Sequence, residues 1–280
     1  IGGETSIAYG SAHVCSGSFL PFPIQVVNSV TASNGPDTYT TNYEYQQAIW
    51  DVDDREFRGF SLARVIDPEG NYSESNYLTD DIYKGRPSEQ RTYDADDHLF
   101  SKSVNTWDNQ AIATGVKFVF LKRKDNYVYD GDASGRRTAE EFFYAETPQY
   151  GNLTKAVQLG EVDLTTGNDV GVDSRTIETT YVKSIMANRW LPGLPNLTTV
   201  KNHAQTLMRK TWFYYDSSTD NNAAPITGLL TKKTDDGPAA SDPSTQYAYD
   251  LFGNLTSTTD PLGRVTSIAY EAGYKLFPLT

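Results

Sequence analysis

Asp67-Pro68-Glu69-Gly70, six residues and then Tyr77; Asp260-Pro261-Leu262-Gly263, six residues and then Tyr270: the chain uses one phrase twice, almost two hundred positions apart. Asp, Pro, any residue, Gly is the order of a type I turn, with Asp capping the first position, Pro presetting φ at the second and Gly taking the fourth. Each turn leads into a β-prone run that ends in Tyr. Recurring turn-plus-strand units predict a repeat architecture in which each unit borrows its packing from its neighbours.

Working outward, a Tyr-Asp pair recurs at Tyr93-Asp94, Tyr129-Asp130, Tyr215-Asp216 and Tyr249-Asp250, with Trp107-Asp108 and Tyr270-Glu271 as variants. The cleanest unit is Tyr249-Asp250-Leu251-Phe252-Gly253-Asn254-Leu255-Thr256, then the Asp260 turn, then Tyr270. The aromatic closes a strand, the acid starts a turn by bonding a backbone N–H, and Gly253 supplies a backbone angle other residues avoid. Alternating runs such as 38–45, 115–121, 175–182 and 207–215 read as strands with one wet face. Helical spacing is scarce, and its best candidate spans Thr138 to Ala145. The expectation is a mainly β chain, a large antiparallel sheet built of hairpins.

Composition narrows the function. The chain has 280 residues, 38% hydrophobic and 21% charged, with 19 Tyr and a net charge of −12. So acidic a chain argues against nucleic acid, which needs clustered Lys and Arg. The run Lys122-Arg123-Lys124 is read as a solvated strand end. The single cysteine, Cys15, permits no intrachain disulfide. No apolar stretch is long enough for a membrane helix, and no secretory leader opens the chain. It starts Ile1-Gly2-Gly3 and ends after a strand-like run, so it is read as a piece of a longer polypeptide.

These residues resemble the YD repeats of the rearrangement-hot-spot (RHS) family. The front is similar to the middle region of the insecticidal toxin-complex B component and SpvB-like proteins, through Leu20 to Val27, Thr40 to Tyr45, the string Arg55-Glu56-Phe57-Arg58-Gly59-Phe60 and Lys84-Gly85-Arg86-Pro87. The resemblance divides the chain into 1–110, like that middle region, 111–204, divergent β repeats, and 205–280, YD repeats. It implies a sheet spiralling into a hollow shell around a toxic C-terminal segment, with no enzymatic role for this part. It also implies a secreted or cell-surface protein. The implied partners are the rest of the same polypeptide, the enclosed toxin and other toxin-complex subunits. The alternative is a cell-surface adhesion or glycan-binding β module, with Trp107 and Trp190 as candidate sugar platforms.

One chemical site competes with the repeat reading. Asp130, Asp132 and Ser134, with Gly135 and Glu141, have the spacing of a calcium-binding EF-hand loop. Against it, Arg137 takes an apolar position and the preceding segment reads as strand, so Tyr129-Asp130 with Gly135-Arg136 reads rather as one more degenerate repeat turn. No other cofactor is indicated. His13, His98 and His203 lack zinc-ligand spacing. Acid pairs such as Asp53-Asp54 read as solvated turns, and no nucleophile elbow or phosphate loop occurs. The four Asn-x-Ser/Thr acceptors at Asn71, Asn152, Asn196 and Asn254 include two pieces of the repeat. Arg58 is expected in a structural ion pair with Asp53, Asp54 or Glu56.

Overall fold

The computed structural model describes residues 3–130, 134–144, 150–186, 189–236 and 242–279. The chain forms two compact units, Ile1–Glu141 with Leu159–Gly171, and Phe142–Gln158 with Val172–Thr280. The strands are β1 (Glu4–Ser11), β2 (Gln25–Ser33), β3 (Thr38–Asp51), β4 (Glu56–Ile66), β5 (Tyr72–Tyr77), β6 (Pro87–Tyr93), β7 (Leu99–Ala113), β8 (Val116–Val128), β9 (Arg136–Tyr144), β10 (Leu153–Val162), β11 (Arg175–Met186), β12 (Arg189–Asn202), β13 (Leu207–Tyr215), β14 (Leu230–Asp235), β15 (Ser244–Tyr249), β16 (Leu255–Thr259) and β17 (Val265–Ser267). Each strand pairs with its successor, and every described strand register is antiparallel. The mainly β, antiparallel fold expected from the repeats is what the chain adopts.

The substantial contacts between elements run between consecutive strands, apart from a 3-10 turn at Ala12–Val14 that touches β3. Packing is therefore lateral rather than face to face. Among the described residues no large side chain is fully buried. The one hydrophobic cluster joins Ala12, Leu20, Val26 and Ala48 to Tyr45, Trp50, Phe57 and Phe60 in the first unit. Elsewhere the strands hold their place by ladder hydrogen bonds and half-buried side chains.

Two local expectations are corrected. Thr138 to Tyr144 belong to strand β9, not a helix, with Glu141 opposite Arg123 and Ala139 opposite Asp125; Ala145 lies outside the described residues. Pairing with β8 imposes a period of two, which puts Arg137, Ala139 and Glu141 on one face. Lys122-Arg123-Lys124 is not a strand end either, because it lies inside β8. Lys122 reaches Asp108 at 3.0 Å, whereas Arg123 turns inward.

There Arg123 and Arg137 converge on Asp125, which is 3% exposed. Arg123 bonds it through Nε and Nη2 at 2.9–3.1 Å, and Arg137 through Nε at 3.0 Å. Arg123 also binds Glu141 and the Gly167 carbonyl, while Arg137 reaches the Asp163 and Leu164 carbonyls. One buried carboxylate thus pins the 163–167 connection against β8 and β9. Removing one partner of such a network strands the other charges without a counterion. Asp125→Ala is expected to cost toward the lower end of about 3–5 kcal/mol in denaturant unfolding, since both guanidiniums keep other acceptors. An unchanged midpoint would contradict this.

Candidate functional site

The repeat motif resolves into two devices, a turn and a bulge. Four reversals are superimposable in their bonding: Asp67–Asn71, Asp94–His98, Asp250–Asn254 and Asp260–Arg264. In each, the N–H of the fourth residue donates to the carbonyl of the opening Asp, at 2.9–3.3 Å. The Asp N–H donates to the carbonyl of the fifth residue, at 2.8–3.1 Å. Asp Oδ1 accepts the amides of the third and fifth residues. Asp Oδ2 meets the side chain of the fifth: Asn71 Nδ2 at 2.8 Å, His98 Nδ1 at 2.9 Å, Asn254 Nδ2 at 3.0 Å and Arg264 Nε at 2.6 Å. The fourth residue is left-handed, with φ of 92° at Gly70, 66° at Asp97, 85° at Gly253 and 79° at Gly263. This is the type I turn extended by a left-handed residue. The Tyr-Asp turn and the Asp-Pro-x-Gly turn, separate in the sequence reading, are one structure. A fifth copy opens on Asn202, with Gln205 left-handed, and its unusual residues hid it from sequence.

Beside these turns lies the bulge. Tyr249 faces Leu255 while Ala248 faces Ser257, so Thr256 is an extra residue. Its hydroxyl donates to the Ala248 carbonyl at 3.1 Å, which fastens the extra residue to the facing strand. Thr231 does the same for Tyr214 before Tyr215, and Ser88 for Asn76 before Tyr77. Register shifts also fall directly before Tyr9, Trp50, Tyr93, Trp107 and Tyr181. The aromatic then ties its strand to the preceding one, at its start for Tyr181 and Tyr249 and midway along it for Tyr215. Tyr181 OH donates to the Leu153 carbonyl, Tyr215 OH to Pro195, Tyr249 OH to Leu230 and Tyr270 OH to Leu255, at 2.6–3.2 Å. Trp107 substitutes its indole N–H, which donates to the Pro87 carbonyl at 2.9 Å. Tyr, Asp, Gly, Asn and Thr of Tyr-Asp-x-x-Gly-Asn-Leu-Thr thereby each have a physical task.

Arg55-Glu56-Phe57-Arg58-Gly59-Phe60 uses a bulge differently. Phe57 faces Trp50 and Gly59 faces Ile49, which leaves Arg58 extra and Gly59 at φ 93°. The shift in parity brings Phe57 and Phe60 together, 5.6 Å apart and edge to face, in the hydrophobic cluster. Arg55 is left-handed in the preceding turn. Arg58 is a buried ion-pair centre as expected, but only Asp54 of the anticipated partners binds it. Asp51 and Asp81 supply the other carboxylates, at 3.1 and 3.2 Å, and Glu56 pairs with Lys84 instead.

The remaining candidates divide by their partners. Asp130 follows β8 with φ 50°, Asp132 lies outside the described residues, and Glu141 is held by Arg123 at 2.9 Å. A calcium ion at this loop would have to take Glu141 from that guanidinium. Among the described residues, Asp94, Asp96 and His98 form the single three-ligand grouping, and all three already serve one turn. The acceptor asparagines 71, 152 and 254 spend their amides within the protein, and Asn196 is 4% exposed. Trp190, by contrast, is 68% exposed beside Tyr150.

Electrostatics follow the bonding. Asp94 is held below the usual carboxylate range chiefly by the His98 amide, then by the His98 ring and the Asp96 amide. At Asp250 desolvation pushes upward, but the Asn254 side-chain and amide bonds outweigh it; at Asp260 the Arg264 amide leads the lowering. Such carboxylates stabilise the fold above their unfolded pKa, and the contribution is lost as pH falls through the folded value. His98 is raised, first by its bond to Asp94. Its contribution is complete below about pH 6.5 and is lost as pH rises through the raised value. The Asp94 turn alone among the four should therefore loosen on the alkaline side. Amide exchange at Asp97 and His98, measured against Gly70 and Gly253, is expected to rise through that titration, and His98→Asn to abolish the difference. A constant ratio would contradict this.

With this geometry in place, comparison with known proteins is direct. Residues 1–88 match the family described as the insecticide toxin TcdB middle/N-terminal region, and residues 227–265 match the RHS repeat. No curated protein sequence gives a significant match. Among solved structures, the fold is similar to TcdB2–TccC3 (TM-score 0.67, 14% identity, 99% of this chain and 23% of the other). It is also similar to TcdB2–TccC3 without its hypervariable C-terminal region (0.69, 12%, 99% and 22%). A third is the Photorhabdus luminescens Tc holotoxin pore (0.70, 12%, 96% and 22%). The chain thus spans less than a quarter of the solved chains it matches. It matches a toxin middle region at its start and the RHS repeat toward its end, is similar through these segments to the YD/RHS-repeat toxin-complex family, and has the fold of these structures.

Proposed function

We propose that this chain is a non-enzymatic wall segment of a secreted bacterial toxin shell, which encloses a C-terminal toxin and helps deliver it. One observation carries this reading: the hairpin unit satisfies its own backbone and bonds its aromatic only to the strand before it. A sheet made this way extends by adding units, with no second layer to build. The family and the TcdB2–TccC3 likeness support the same role. On this reading the partners are the rest of the polypeptide, its enclosed segment and other toxin-complex subunits, and the protein works outside the producing cell.

A second reading, a cell-surface adhesion or glycan-binding module, is favoured by the exposed Trp190 beside Tyr150. Trp107 does not support it, because its indole N–H is committed to Pro87 and its ring carries Arg86. The shell is tested on the full-length polypeptide by limited proteolysis. The C-terminal segment is expected to resist protease until denaturant opens the sheet. Cleavage as fast as that of the isolated segment would overturn the enclosing role.

A further inference from the structure

The second unit carries a hollow of about 390 Å³ on one face of its strands. Its floor is a row running straight across four of them. Tyr214 of β13 faces Lys232 of β14, Lys232 faces Gln246 of β15, and Gln246 faces Thr259 of β16. Residues directly opposite in an antiparallel ladder project to one side, so these four side chains stand next to one another. In the neighbouring row Ala248 faces Ser257, and their small side chains leave the depression. The 217–219 connection lines it too.

The chemistry of this hollow differs from that of the surrounding sheet. Elsewhere hydroxyls and amides close bulges and turns. Here the side chains of Gln246, Ser257 and Thr259 have no hydrogen-bond partner among the described residues. Lys232 is the one charged residue lining the hollow. Its ammonium rests 5.1 Å from the Tyr214 ring centroid, a cation–π contact that holds it in place without neutralising it. Its neighbour Lys233 is paired with Asp235 at 3.2 Å. Lys102, Lys155, Lys183 and Lys210 likewise stand over aromatic rings without an ion pair, so what sets Lys232 apart is the row of free amide and hydroxyl groups beside it. The volume lies within the range of small-ligand sites, roughly 300–1,000 Å³.

We propose that this hollow binds an acidic sugar, a pyranose bearing a carboxylate. Lys232 takes the carboxylate, Gln246 bonds the ring hydroxyls through both ends of its amide, and Ser257 and Thr259 complete the set. The proposal rests on the glycan-binding reading, to which it adds a ligand class and moves the site from Trp190 to the β13–β16 face. It does not depend on the shell.

The test uses the full-length protein with glucuronic acid and glucose, which share a ring and differ at the carboxylate, followed by saturation-transfer NMR titration. Glucuronic acid is expected to bind, and glucose to bind roughly tenfold more weakly, as loss of a charged hydrogen bond implies. Lys232→Ala and Gln246→Ala should lose glucuronic acid binding, and Trp190→Ala should retain it. Thr259→Val, which keeps the β-branched shape, provides a variant that leaves the strand undisturbed and should also weaken binding. Equal binding of the two sugars, or binding that survives the pocket variants, overturns the proposal. Binding lost only with Trp190→Ala overturns this site while sustaining the glycan reading. No binding of either sugar, or of a wider panel of immobilised oligosaccharides, removes both.

Discussion

A β-bulge beside an aromatic residue inserts an unpaired residue into the ladder, and the way that local defect is closed governs the rest of this structure. A buried polar group left unmade costs about 1–3 kcal/mol, whereas a made hydrogen bond contributes about 0.5–1.5 kcal/mol net. In a globular domain a thick apolar core can absorb such defects. Here no large side chain is fully buried among the described residues, so the defect must be repaired where it arises. Thr256, Thr231 and Ser88 repair it with a hydroxyl from the extra residue itself. The defect and its repair are therefore inherited together whenever the unit is repeated.

The bulge also sets how units join. An extra residue changes the parity of its strand, which allows an aromatic at a strand end to lean over the neighbouring strand. Its hydroxyl then reaches the first carbonyl of that strand, as Tyr249 does at Leu230. The adjoining Asp carboxylate gathers amides and the side chain of the fifth turn residue, so each reversal is closed by its own atoms. In the first unit the same logic is carried by charge. Asp125 and Arg58 are each held by opposite charges, Asp125 by Arg123 of its own strand and Arg137 of β9, and Arg58 by Asp51 of β3 and two acids of neighbouring connections. Polar closure of these hairpins, rather than burial, accounts for an acidic, tyrosine-rich composition in a well-formed sheet.

Much of this was legible in the residues. Asp, Pro and Gly announce a turn because each acts on its own backbone, and those local effects survived into the structure at Asp67 and Asp260. The Asp94 and Asn202 copies were harder, since Asp97 and Gln205 take a left-handed angle that favours glycine. Trp107-Asp108 matches the Tyr-Asp pairs in its aromatic alone: the indole N–H donates as a phenol does, but Asp108 lies inside β7 opposite Phe120 and starts no turn. What could not be read is which carbonyl each donor meets, for that depends on register between strands. Arg123 shows the same limit. A basic triplet looks solvated until strand pairing aims its middle residue at Asp125, two positions along the same face. The partners of Arg58 failed similarly, because Asp81 arrives from the connection between β5 and β6.

The central claim is that the aromatic hydroxyls fasten successive strands. Stepwise Tyr→Phe replacement at Tyr215, Tyr249 and Tyr270 removes one oxygen each and leaves the rings in place. Denaturant unfolding is predicted to show a loss of about 1 kcal/mol per replacement, with faster exchange at amides beside Pro195, Leu230 and Leu255. Unaltered stability and exchange in the triple variant would mean that the rings alone join the strands, and the account would be wrong.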